Sequence, residues 1–178
     1  MLTLVLASAF SLGAVLATNS AEVKLPRSVQ HGEFDLAISA KQAFPLFSPE
    51  GERPWAAGWD PKPVFPAEET VRWQRNAVFT TDHNTEHLTW WILDVDRATR
   101  TADYLNVGKG RISRITVHVQ SIDESHCRVD VTYILSATEA SASELVQRAN
   151  SEQMRHRMIH WKQAVEEAIA KGLPAIPE

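Results

Sequence analysis

The segment "SASELVQRANSEQMRHRMIHWKQAVEEAIAKGLP", residues 141–174, decides how the rest of the chain folds. Ser141 and Glu144 have the spacing of a capping box, in which each side chain bonds a free amide of the other residue. Gly172 accepts the left-handed conformation that ends many helices. The pattern predicts one long amphipathic helix over residues 142–171, whose apolar stripe must pack against another apolar surface. The stripe recurs at intervals of three and four residues and consists of Met154, Met158, Trp161, Val165 and Ala168.

Strand-like runs before this helix supply the apolar surface. "EFDLAISA" alternates apolar and polar residues from Glu33, and "AKQAFPLF" then predicts a short helix. About five further runs follow an irregular loop, and the turn signals between them are too short for parallel crossovers. We therefore predict one α+β domain in which a curved antiparallel sheet wraps around the long C-terminal helix. The five runs are "NAVFTT", "EHLTWWILDV", "TADYLNV", "RISRITVHVQSI" and "HCRVDVTYILSA".

The loop "FPLFSPEGERPWAAGWDPKPVFP", residues 44–66, places two tryptophans, Trp55 and Trp59, on a segment that its prolines keep out of any continuous helix. One interpretation makes the indoles a lid or wall over a ligand cavity. The other, which we favour, makes them a plug that pins the loop to one end of the core. Glu52 and Arg53 have the same two options, and bonding within the loop is favoured over facing the polar end of a ligand.

Composition limits the function classes. The chain has 178 residues and a net charge of −4, with no basic run interleaved with aromatics, so we expect no nucleic-acid partner. Residues 1–21 carry no charged side chain and are mostly apolar or small, as in a secretory signal peptide, although no Lys or Arg precedes the apolar stretch. If this leader is cleaved, the protein is exported to a periplasmic or extracellular space and keeps no stable membrane span. Otherwise it is membrane-associated or cytoplasmic.

The order of elements, together with "PEGERPWAAGWDP" in the loop, resembles the START-like helix-grip superfamily, also called SRPBCC, over about residues 34–173, which places the domain at residues 27–173. The superfamily includes polyketide cyclases and lipid-transfer domains. The motif P-x-G-E-x-x-W-x-x-G-W-D-P is similar to that of one bacterial subset, as are "AVFTT", "VTYILSA" and "HWKQAVEEAI". Asn76 stands where the subset would have glycine, and Asn also accepts a positive φ. The resemblance implies an apolar cavity between helix and sheet that binds, carries or transforms hydrophobic ligands.

Candidate ligand-binding residues follow from the loop, the helix stripe and the strand alternation. Tyr133 shares a strand face with the apolar valines of its strand, so its hydroxyl points inward and could anchor a ligand oxygen. Trp90 and Trp91 face opposite ways, so one of them points inward. The candidates are Glu52, Arg53, Trp55, Trp59, Trp90, Tyr104, Tyr133, Met154, Met158 and Trp161.

Metal and catalytic motifs are weak. "HNTEH", residues 83–87, matches the H-x-x-E-H pattern of some zinc peptidases, but that chemistry needs helical spacing and this segment lies at a turn. We expect no cofactor, no metal and no catalytic constellation. The favoured hypothesis is binding of a hydrophobic or amphiphilic small molecule. The alternatives are a cyclase- or dehydratase-type enzyme using the same cavity, and a protein-interaction domain with a vestigial cavity. Ligand identity and oligomeric state do not follow from these patterns.

Overall fold

A computed structural model describes residues 24–83 and 86–172 of the chain. The leader predicted for residues 1–21 lies outside these described residues. Among the helices within them, none has the length and apolar composition needed to cross a bilayer.

In the described part of the chain, seven antiparallel strands form a single sheet in the order β1-β7-β6-β5-β4-β3-β2. The meander β3 to β7 follows from the short turns between the strand-like runs, and β1 returns to pair with β7 along its whole length. The predicted curved antiparallel sheet with a C-terminal helix is confirmed. The strands are β1 (Arg27–Leu36), β2 (Lys62–Phe65), β3 (Val78–His83), β4 (Glu86–Asp96), β5 (Thr101–Gly108), β6 (Arg111–Ser121) and β7 (Cys127–Ala137).

Strand β2 lies inside the proline-rich loop and was not predicted. It occupies one edge of the sheet and pairs only with β3, with a register shift between Pro63 and Phe65. Pro63 is tolerated there because an edge strand does not need every backbone amide for a ladder. Between β2 and β3, Asn76 adopts a positive φ of 68°, a conformation that asparagine accepts as glycine does.

The C-terminal helix is broken, so the prediction of one continuous helix is wrong. Helix α1 spans Ala40–Ala43, α2 spans Ser143–Arg148 and α3 spans Ser151–Ala170. The break comes from Asn150, whose side chain accepts a hydrogen bond from the Gln153 amide at 2.9 Å and so starts a new helix.

The capping box predicted at the start of this region is also wrong. The N-cap of α2 is Ala142, which makes no side-chain hydrogen bond. The Ser141 hydroxyl donates instead to the Glu139 carboxylate at 3.2 Å.

Helix α3 crosses β1 at Gly32, and this close contact closes one side of the domain. A β-carbon at Gly32 would lie 2.5 Å from Met158 Cγ and 3.1 Å from Met154 Cγ, so only glycine permits the approach. Met154 and Met158 are 1% and 3% exposed and belong to the main core. The two methionines therefore fix the position of α3 on the sheet.

Candidate functional site

The concave face of the sheet carries two rows of side chains that face the helices. Successive residues of a strand alternate sides, so directly paired residues of neighbouring strands share a face. The strand register defines the first row as Phe79, Trp90, Asn106, Ser113 and Leu135. It defines the second as Ile92, Tyr104, Ile115 and Tyr133.

The loop between α1 and β2 holds its two tryptophans by their indole nitrogens. Trp55 Nε1 donates to the Leu46 carbonyl at 2.7 Å, and Trp59 Nε1 donates to the Pro49 carbonyl at 2.7 Å. Both indoles also line a cavity beneath the loop. The two interpretations of these residues are therefore compatible, because the polar edge of each ring pins the loop while its carbon surface lies on the cavity.

Ring contacts tie the loop to the sheet and to α3. The Trp55 and Trp161 rings lie 5.3 Å apart, and the Trp59 and Trp90 rings lie 5.2 Å apart, both edge to face. Such pairs add roughly 0.5–1.5 kcal/mol beyond the area they bury. The loop is thus a fixed wall of the cavity.

Arg53 braces the loop from its outer side. Its Nε donates to the Glu50 carboxylate at 2.5 Å, its Nη1 to Asp60 at 2.7 Å, and its Nη2 to the Pro61 carbonyl at 2.7 Å. The other oxygen of Glu50 accepts from the Val71 amide at 2.9 Å. Arg53, unlike its neighbour Glu52, therefore bonds within the loop and holds its conformation.

A cavity of about 410 Å³ lies between the loop, the concave face of the sheet, α2 and α3. Its wall is mostly aromatic and aliphatic, with a few polar side chains from the sheet, the loop and α3. The aromatic lining residues are Trp55, Trp59, Phe79, Trp90, Tyr104, Tyr133 and Trp161. The polar and charged ones are Glu52, Thr81, Asn106, Arg111, Ser113, Gln153 and Arg157.

Glu52 is the carboxyl group of the loop that faces this cavity. In the described part of the chain its carboxylate has no hydrogen-bond or ion-pair partner, although the Glu52 backbone amide bonds the Ser48 carbonyl. Loss of hydration raises the pKa of the Glu52 carboxyl well above its ordinary value. No cation among the described residues offsets that loss, so the neutral acid is favoured over a wider pH range than for an exposed glutamate.

Two tyrosines of the second row lie beside Glu52. Burial raises the pKa of Tyr133 to about 12, opposed by the positive charge of Arg157 and reinforced by the negative charge of Glu52. Burial, and then the charge of Glu52, also raises the pKa of Tyr104 well above its ordinary value. The Tyr104 hydroxyl donates to the Phe47 carbonyl at 2.8 Å, whereas the Tyr133 hydroxyl has no hydrogen-bond partner within residues 24–83 and 86–172.

The first row adds polar atoms to the cavity wall. Asn106 is 6% exposed, and its Oδ1 is the one buried side-chain oxygen or nitrogen without a hydrogen bond in the described ranges. Ser113 lies directly opposite Asn106 on the next strand. A buried acceptor without a donor costs roughly 1–3 kcal/mol, so a bound molecule that supplied a donor there would recover that cost.

The two arginines of the cavity differ in their partners. Arg111 donates two hydrogen bonds to the Glu86 carboxylate, at 2.5 and 2.7 Å, which neutralises its charge. The Arg157 guanidinium lies 4.6 Å from the centre of the Tyr133 ring on an exposed part of α3. Of these two arginines, Arg157 therefore keeps the uncompensated charge, and it lies at the rim of the cavity.

The structure brings most of the predicted ligand-binding residues together. Arg53 lies on the outer side of the loop, and Met154 and Met158 cover Gly32 rather than lining this cavity. The residues around it are Glu52, Trp55, Trp59, Trp90, Tyr104, Tyr133 and Trp161.

The polar strand residues of the cavity wall were not predicted from the sequence. Asn106 follows Ala102 and Tyr104 at steps of two residues on β5, so strand alternation alone would have placed it inward. His83 ends β3 and pairs with Glu86 at the start of β4, and His87 bonds Asp82, so these residues of the H-x-x-E-H pattern lie on strands and lack the helical spacing of a zinc motif.

No family model matches this chain, and no curated protein matches it. Its fold is nevertheless similar to many solved structures. The norcoclaurine synthase of Thalictrum flavum, solved with dopamine and hydroxybenzaldehyde, has a TM-score of 0.62 at 13% identity, over 98% of this chain and 99% of that one. Ara h 8.0201 has a TM-score of 0.59 at 13% identity, over 83% of this chain and 100% of that one.

A hypothetical protein from Helicobacter pylori has a TM-score of 0.59 at 8% identity, over 95% of this chain and 99% of that one. At these identities the likeness is one of fold. The assignment of the loop motif to a bacterial subset stays a prediction.

Proposed function

Because this chain has the helix-grip fold of the START-like superfamily, we propose that it binds a hydrophobic or amphiphilic small molecule between sheet, loop and helices. The observation that carries the proposal is the cavity of about 410 Å³ with its aromatic wall. That volume falls in the range of roughly 300–1,000 Å³ typical of ligand pockets, which combine apolar walls with a few polar groups.

The polar groups of the cavity support binding over a purely structural role. Asn106 Oδ1, the Tyr133 hydroxyl and the Glu52 carboxylate have no protein partner among the described residues. Polar groups that served only the fold would be paired inside the protein, because burying them unpaired is costly. The fold neighbour that holds dopamine and hydroxybenzaldehyde adds a precedent for small organic ligands in this architecture.

Filling the cavity should weaken binding strongly without unfolding the protein. Ser113→Phe places an aromatic ring on the cavity floor, where space is open. We expect it to lower the affinity for the neutral fluorescent probe N-phenylnaphthylamine by about tenfold or more, because the ring occupies the volume the probe would fill. Fluorescence titration measures the affinity.

The matched control is Ile112→Phe, one residue earlier on β6 and on the opposite face of the sheet. It should leave probe affinity unchanged, and both variants should melt within a few degrees of the parent chain. Equal probe binding by Ser113→Phe and the parent chain would overturn the proposal.

A cyclase- or dehydratase-type enzyme is the second candidate, and the environment of Glu52 favours it. A carboxyl whose pKa is raised by burial is suited to exchanging protons with a bound substrate. Tyr133 lies close to Glu52, because the negative charge of Glu52 helps to raise the pKa of Tyr133. An enzyme would convert the bound molecule at a rate that depends on the ionisation of Glu52, whereas a carrier would release it unchanged.

A further inference from the structure

Glu52 stands apart from the other carboxyl groups around the loop and cavity. Arg53 bonds both Glu50 and Asp60, and Arg111 bonds Glu86. Glu52 has no arginine, lysine or histidine partner within residues 24–83 and 86–172. A negative group that is shielded from water and lacks a positive neighbour is a ready acceptor for a positive group brought by a ligand.

Aromatic surfaces lie around this acceptor. Trp55 and Trp161 pack edge to face at 5.3 Å, and Tyr133 packs against Trp161 at 6.4 Å. The negative charge of Glu52 contributes to the raised pKa of both Tyr104 and Tyr133, so Glu52 lies near both rings. The faces of such rings attract cations, with an energy of roughly 0.5–2 kcal/mol that grows as water is excluded.

Asn106 supplies a second acceptor on the same cavity wall. Its Oδ1 is buried and accepts no hydrogen bond from the described residues. A primary ammonium carries three N–H donors and no acceptor, which complements a site whose unsatisfied groups are oxygen acceptors. A carboxylate ligand would instead place its charge against Glu52. Of the two cavity arginines, Arg111 is already bonded to Glu86, and Arg157 lies at the rim over Tyr133.

We infer that the ligand is a hydrophobic amine, an inference that rests on the proposed binding function. Its ammonium group binds at Glu52, among the rings of Trp55, Tyr133 and Trp161. The apolar body of the ligand fills the remainder of the cavity. Where Glu52 is protonated in the free protein, binding the ammonium favours the carboxylate and releases that proton to solvent. Charge is conserved, because one cation enters as one proton leaves.

Three compounds with the same apolar body test the inference: phenylbutylamine, phenylbutanol and phenylbutyrate. Isothermal titration calorimetry of the full chain in two buffers of different ionisation enthalpy gives both affinity and protons released. We expect the amine to bind about tenfold more tightly than the alcohol, and the carboxylate most weakly. Below the pKa of Glu52, amine binding should release about one proton per ligand and alcohol binding none.

Glu52→Gln keeps the shape of the side chain but removes its charge and its titration. It should bring amine and alcohol affinities together and abolish proton release. The control Glu68→Gln makes the same charge change at an exposed residue paired with Arg72, and it should keep the amine preference.

The outcomes separate this inference from the binding function. Alcohol or carboxylate binding as tight as amine binding would overturn the amine inference while supporting a ligand cavity. An amine preference that survives Glu52→Gln would also overturn it. Failure of all three compounds to bind at millimolar concentration would contradict the binding function as well.

Discussion

Gly51→Ala is expected to lower the melting temperature by about 6–12 °C, which corresponds to about 3 kcal/mol in a chain of this size. A β-carbon at Gly51 would lie 2.0 Å from the Pro45 carbonyl oxygen, 2.8 Å from Ser48 Oγ and 3.0 Å from Leu46 Cα. Two of these atoms belong to the backbone, so no rotamer change relieves the overlap. The loop must move, and Glu52 moves with it.

Ligand affinity should fall together with stability in this variant, because the loop forms one wall of the cavity. The Gly51 amide also donates to Ser48 Oγ at 2.9 Å, a contact that a displaced loop loses. Gly58→Ala is the control within the same loop. A β-carbon at Gly58 would have no atom within 4 Å. The substitution is opposed only by the φ of 75° at this position, a conformation that costs alanine about 1 kcal/mol. Melting of Gly51→Ala within 2 °C of the parent chain, measured by calorimetry, would contradict this packing.

Glu52→Gln is expected to stabilise the free protein at neutral and alkaline pH. Burial raises the folded-state pKa of Glu52 above its ordinary value of 4.5, so the folded protein holds this proton more tightly than the unfolded chain does. The contribution of the protonated Glu52 to the free energy of unfolding is therefore fully present below the ordinary pKa of a glutamate. It is lost as the pH rises through the raised pKa of the folded state. Glutamine cannot ionise and avoids that loss.

Thermal or denaturant unfolding of both proteins between about pH 4 and pH 8 measures the effect. The stability difference should be smallest at the acidic end and grow with pH until Glu52 is ionised in the folded parent chain. One pKa unit of difference between folded and unfolded states corresponds to about 1.4 kcal/mol. Glu68→Gln, at an exposed and paired site, should stay within about 0.5 kcal/mol of the parent chain.

Destabilisation by Glu52→Gln at pH 8 would contradict this account, because it would show that the carboxylate stabilises the fold. Stabilisation together with weaker amine binding would instead identify Glu52 as a group that costs stability and serves binding, a common relation at functional sites.

The sheet was predictable from sequence because its strands carry strong alternation and short turns. Tyr133 was placed inward by counting in steps of two, and in the register it shares a face with Tyr104, which the sequence analysis named only as a candidate. The helix stripe predicted packing against the sheet, but Met154 and Met158 serve the contact with Gly32 and only Trp161 of that stripe lines the cavity. Periodicity predicts which helix face is buried and does not distinguish core from cavity.

Other features depended on three-dimensional contacts that local patterns do not report. Asn150 reads as an ordinary residue inside a helix until its side chain is seen to cap the Gln153 amide. Glu52 and Arg53 are neighbours on an irregular segment without periodicity, so the turns around Ser48 decide which one faces the cavity. The assignment of Arg53 to the loop depends on Asp60, seven residues away.

The most direct test of a ligand-filled cavity is native mass spectrometry of the chain purified from the cells that make it. We expect one small molecule per chain, retained in the native spectrum and released on denaturation, and we expect Ser113→Phe from the same cells to carry none. A bare parent chain, or the same bound mass on Ser113→Phe, would contradict it.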